Sequence, residues 1–183
     1  RGMFMQAEEI LNFWFKEIDS ALWWKKDSSF DALIQERFAT VHRQACLGEL
    51  YSWRKNPAGR LAEIIILDQF SRNMFRDKAA AFAQDPQALT LAQEAIAQQA
   101  DATLTQQQRI FLYLPFMHSE SLLVHETAVQ LYTAPGLQGN LDFEYKHKAI
   151  IARFGRYPHR NALLGRESTP EELKFLQEPG SSF

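Results

Sequence analysis

The sequence predicts an all-α fold: a single-domain helical array over residues 3–183. Three observations carry this. Apolar residues recur at helical spacing along most of the chain. Proline-primed helix starts stand at Asn56-Pro57, Asp85-Pro86 and Thr169-Pro170. No stretch alternates polar and apolar residues between turn signals, so no strand is expected.

The elements follow in order. Ala7 to Ile18 spaces Ile10, Phe13, Trp14 and Ile18 as one helix face. Ser28 to Leu47 puts Phe30, Leu33, Ile34, Phe38 and Val41 on one side. Between them, Trp23-Trp24 beside Lys25-Lys26 reads as a helix-docking loop, with a cation–π surface as the alternative. Asn56 and Asp85 are the expected N-caps ahead of their prolines. Further helices fit Thr105 to His118, Ser119 to Thr133 and Asn140 to Phe154. Pro115 should kink or end the first of these, since it removes a donor and crowds the carbonyl of Phe111. Gly155 suits a left-handed helix end, and Pro158 a short helix start after an extended Tyr157. Thr169 to Glu172 is a capping box. Met3 reads as an initiator, and Arg1 and Gly2 ahead of it carry no weight.

Composition excludes several functions. At 183 residues and 46% hydrophobic, the chain can bury a sizeable core as one domain. A formal charge of -2 gives no pull toward nucleic acid or membrane. The longest apolar run, Ile110 to Met117, is too short to span a bilayer. Glu8 and Glu9 precede the apolar stretch at Leu11 to Phe15, unlike a secretory signal. The single cysteine, Cys46, allows no internal disulfide and suits the reducing cytoplasm. His42 four residues before it could pair with a thiolate, but a helix of mixed character favours an inert buried thiol.

Polar residues gather in a few places. Leu61, Ile64, Ile65, Asp68 and Arg72 continue one stripe, which therefore ends in an acid and a base. Arg76 follows a turn later. His118 and Glu120 flank the break after Pro115, and His125 shares a face with His118 if helix resumes at once. His147 sits alone in the stripe of Phe143, Ile150, Ile151 and Phe154, where its ring needs a hydrogen-bond partner. Then comes FGRYPHRN, Phe154 to Asn161, with Arg156, His159 and Arg160. From Tyr145 to Arg166 there are six cations and no acid. That run can hold an anion or neutralise acids such as Asp68 and Glu120.

No metal or cofactor is expected. Glu144-x-x-His147 is half of a di-iron motif with no second half, and Glu120 to His125 has the wrong spacing. Zinc lacks cysteine support and a His-x-x-x-His pair. No Gly-x-Ser-x-Gly elbow and no phosphate-cradling glycine loop occurs.

Four strings closely resemble one family: LDQFSRNMFR (Leu67 to Arg76), YLPFMHSE (Tyr113 to Glu120), RFGRYPHRN (Arg153 to Asn161) and LGRESTPEE (Leu164 to Glu172). It is the bacterial domain-of-unknown-function family 924, and the similarity runs from Phe13-Trp14-Phe15 to Phe183. The departures are Ser71 and Tyr157, where relatives often carry proline and phenylalanine. The resemblance implies a tetratricopeptide-repeat-like helical fold and no particular chemistry.

Three functional readings stay open. In one, the protein is a binding module for an acidic small molecule or peptide, with Asp68, Arg72, Arg76, Arg156 and Arg160 lining the site. In another, it is a cofactor-free enzyme with His118, Glu120, His147 or His159 as acid–base groups. In the third, these residues form a purely structural polar cluster. All three expect Asp68, Arg72, His118, Glu120, His147, Arg156, His159 and Arg160 to meet.

Overall fold

In the computed structural model, which describes residues 4–183, every regular element is helical and no strand occurs among the described residues. The reading of Met3, with Arg1 and Gly2, lies outside those residues. The chain divides into two compact units, one of residues up to 76 with 80–115, the other of 77–79 with 116–183.

In the first unit, α1 (Ala7–Asn12) starts with the Glu9 carboxylate accepting the Gln6 backbone N–H at 2.9 Å and runs on as a π turn, Phe13–Glu17. A 3-10 turn at Ser20–Trp24 docks both tryptophans. Trp23 donates its indole N–H to the Trp14 carbonyl at 3.0 Å, and the rings of Trp23 and Trp24 lie 4.9 and 5.5 Å from Phe111.

The N-cap of α2 (Ser28–Cys46) is Asp27, which accepts from the Phe30 N–H. This helix buries Phe30, Ile34, Phe38 and Val41, but Leu33 is 39% exposed. At ~100° per residue, Leu33 lies about 90° from the centre of the stripe, at its rim. Phe13, Phe38 and Phe70 meet with centroids 4.7 and 4.9 Å apart, and Trp14 meets Phe111 at 5.5 Å. Burying such a ring stabilises by roughly 1.5–3 kcal/mol.

Asn56 caps α3 (Pro57–Ile65), its side chain accepting from the Gly59 N–H at 2.8 Å. Glycine is required at 59 by close approach: a Cβ there would stand 1.9 Å from the Trp53 carbonyl oxygen. The helix continues through a π turn, Ile66–Phe70, into α4 (Ser71–Met74). Asp85 does not cap α5 (Asp85–Ala97). The helix begins at Asp85 itself, with Gln84 at the cap, because the Asp85 carboxylate is taken by Arg72. α6 (Gln106–Met117) ends two residues after Pro115, close to its expected end.

In the second unit, α7 (Leu122–Tyr132) starts three residues later than its pattern suggests, on the Ser121 cap. It packs against α8 (Gln138–Phe154), which begins two residues early and closes on Gly155 at φ 72°. Tyr157 is extended, and Pro158 opens a 3-10 turn, Pro158–Arg160. The short α9 (Pro170–Phe175) is held by its capping box: Thr169 Oγ1 accepts from the Glu172 N–H and the Glu172 carboxylate from the Thr169 N–H. Ile150, Ile151 and Tyr157 form a core with Phe154 and Phe175 against it. No helix among the described residues is long and apolar enough to cross a membrane.

Candidate functional site

Asp68, Arg72 and Arg76 belong to the first unit. The π turn surrounds Asp68 with buried neighbours, and Asp68 itself is 1% exposed. Its carboxylate accepts from Gln69 at 2.9 Å and from Arg72 at 3.2 Å. Arg72 places its fork on Asp85 at 2.8 and 3.0 Å. Arg76 does the same on Asp31 at 2.6 and 2.9 Å, and Asn73 adds a bond to Asp31 at 2.9 Å. Periodicity gave no hint of Asp31 as a partner, since it stands 45 residues away. A regular helix would carry the Leu61 stripe to Arg72. The π turn holds one residue more than an α turn. The buried place therefore falls to Asn73, and Arg72 turns aside to Asp85.

His118, Glu120, His147, Arg156, His159 and Arg160 belong to the second unit. Glu120 accepts the Tyr157 backbone N–H at 2.7 Å and the Arg166 fork at 2.9 and 3.0 Å. Burial pulls its carboxyl up, but those bonds and nearby Arg160 outweigh it and hold the group below the usual range. Arg156 grips Glu172 at 2.7 and 2.8 Å. That grip, with the capping N–H of Thr169, holds the Glu172 carboxyl down at about 2. Arg160 is buried, donates to the His118 carbonyl at 3.0 Å, and lies 4.8 Å over the Tyr157 ring.

Three histidines, His125, His147 and His159, gather about Tyr157. His125 Nε2 lies 2.7 Å from the Ser119 carbonyl and 3.1 Å from the Tyr157 hydroxyl. The hydroxyl donates to the Met117 carbonyl at 2.6 Å, so its oxygen can only accept from His125. Nε2 of His125 therefore carries a proton. Its Nδ1 meets Glu144 Oε2 at 2.6 Å, with both side chains wholly buried. One proton lies between them, and the pair is neutral as a whole. Burial pushes the Glu144 carboxyl up against the pull of His125. Its Oε1 has no hydrogen-bond partner among the described residues, which costs least in the neutral acid.

His147 donates from Nδ1 to the Phe143 carbonyl at 2.7 Å, the local bond its place in an apolar stripe demanded. Its Nε2 has no hydrogen-bond partner among the described residues. Burial drives this imidazole down to about 3 despite the carbonyl, and His118, His125 and His159 push it the same way. The ring centroids of His147 and His159 lie 5.8 and 5.9 Å from that of Tyr157. Phe183 covers them, at 4.0 Å from His147 and 4.4 Å from His159.

The sequence reading passes over His125 with Glu144, and over Arg166, Glu172 and Phe183 as partners. The Glu-x-x-His spacing was the available signal for Glu144, but it points toward a metal. Among the described residues no three His, Cys, Asp or Glu side chains group closely enough to hold one.

The family described as a bacterial protein of unknown function, DUF924, matches residues 10–180. The chain belongs to DUF924. One solved structure resembling this DUF924 chain is that of a protein of unknown function from Agrobacterium tumefaciens. It is 39% identical with a TM-score of 0.88, over 93% of this chain and 96% of that one. A comparison with curated proteins gives no match. Membership of DUF924 accounts for the all-helical fold and assigns no role to any residue.

Proposed function

We propose that the protein is a binding module that holds a small acidic molecule or acidic peptide on the histidine group of its second unit. The observation that carries this is the state of His147. It is neutral, fixed through Nδ1, and crowded by three other imidazoles that oppose its protonation. An anion set among these rings relieves that opposition. Arg160, close over Tyr157, adds a fixed positive charge. Arg72, Arg76 and Arg156 contribute less, because their forks already sit on Asp85, Asp31 and Glu172.

Catalysis is the weaker reading. A general base works best with a pKa near the working pH. His147 is far below that, and the His125–Glu144 pair is sealed from any substrate. The helical array suits a tetratricopeptide-repeat-like binding role in the cytoplasm, where a lone Cys46 stays reduced.

Calorimetry with a panel of small carboxylates and phosphate esters tests the reading. Binding should take up protons at pH 6 to 7, seen as a heat that varies with buffer ionisation, and His147→Gln should reduce that uptake. Binding without proton uptake, or turnover of a bound acid, would overturn it.

A further inference from the structure

We infer that the His147–His159–Tyr157 cradle is a seat for an aromatic ring, that the ligand is an aromatic carboxylic acid, and that Phe183 fills the seat in cis. This rests on the histidine group being the ligand site.

Phe183 makes three edge-to-face contacts, at 4.0 Å with His147, 4.4 Å with His159 and 5.1 Å with Tyr157. Interplanar angles of 61°, 61° and 84° are those at which the positive edge of one ring meets the face of another. The cradle is therefore shaped for a flat ring. Yet the ring in it is 47% exposed, and its segment has no regular structure at 182–183. The nearest tether is Ser181, whose hydroxyl donates to the Leu176 carbonyl at 3.1 Å. A ring held by side-chain contacts alone on a short tether can be displaced.

The seat is polar as well as flat. Nε2 of His147 offers an acceptor, which becomes a donor on protonation, and the other imidazoles stand within electrostatic reach. A ring carrying a carboxylate satisfies both features, with stacking from the ring and relief of imidazole repulsion from the charge. A bare ring meets only the first, and a bare acid only the second.

The test measures binding of 3-phenylpropionate, 3-phenylpropanamide and propionate to the parent chain, Phe183→Ala and Phe183→Leu, with the imidazole resonances of His147 and His159 followed by NMR. A seat filled about four-fifths of the time hides itself by roughly fivefold. Phe183→Ala should therefore bind 3-phenylpropionate roughly fivefold more tightly than the parent, with both imidazoles shifting. Phe183→Leu should fall between and guards against an effect of Phe183→Ala on folding. Propionate and the amide should bind more weakly to every variant. Equal affinity for 3-phenylpropionate in parent and Phe183→Ala would overturn the inference. Propionate binding as well as 3-phenylpropionate, with proton uptake, would remove the ring seat and leave the histidine site standing. No carboxylate binding to any variant would remove both.

Discussion

Nδ1 of His125 and Oε2 of Glu144 share one proton at 2.6 Å, with both side chains wholly buried. With Nε2–H on the Ser119 carbonyl, Nδ1 needs a hydrogen-bonding partner facing it. Glu144→Gln supplies one through its amide. Glu144→Ala supplies none and also leaves a cavity. The alanine variant should lose at least about 1–3 kcal/mol more than the glutamine variant in urea unfolding. Equal losses would mean that Nδ1 is not hydrogen-bonded through Glu144.

Acid stability should have two limbs. His147 titrates near 3 in the folded chain against 6.5 ordinarily. Its contribution is fully present above pH 6.5 and is lost as pH falls toward 3, since the unfolded chain takes up the proton first. His42, also pushed down by burial, adds to this limb. Glu172, held at about 2 against 4.5, contributes above pH 4.5 and loses that as pH falls toward 2. In melting temperatures taken from pH 8 to 3, His147→Gln should flatten the slope between 6.5 and 4.5. Glu172→Gln should lower the melting temperature throughout that window and flatten the slope only below it.

Gly59→Ala should be severe for a helix-start position. The new methyl would stand 1.9 Å from the Trp53 carbonyl oxygen, a backbone atom that cannot swing away. A loss of at least about 2 kcal/mol is expected from such overpacking. A melting temperature within a degree of the parent's would show that the Tyr51–Lys55 turn can give way.

Cys46 should be slow to alkylate. Its Sγ lies 3.6 Å from His42 Nδ1, but burial pushes the thiol up and the imidazole down, so both stay neutral. His42 instead bonds Ser71 at 2.8 Å through Nε2. Iodoacetamide at pH 7.5 should modify native Cys46 more slowly than the same residue in urea. Faster reaction in the native chain would indicate a thiolate pair.

The fold was legible where its signals are local. Asn56 and Thr169 cap as their neighbours require, because N-cap bonds reach only three residues. Gly155 takes the left-handed conformation that its place after Phe154 asked for. Asp85 misled because a partner 13 residues away outbids the local cap. The polar site was half legible. His147 and His159 stood out as polar residues beside apolar stripes or turns. Their company did not, because His125 meets Glu144 across 19 residues and Arg166 meets Glu120 across 46. Helical periodicity reports which face is buried and carries nothing about who waits on the other side.

The π turn at Ile66–Phe70 bears on the length of the chain. Such a turn is an insertion absorbed without rotating the helix on either side. Removing one residue from this stretch would let it relax into an ordinary α turn, with α3 and α4 keeping their faces. A straight helix offers no such slack: losing one residue swings everything beyond by about 100°. A sequence one residue shorter between Ile65 and Ser71 would still bring its arginines to Asp85 and Asp31.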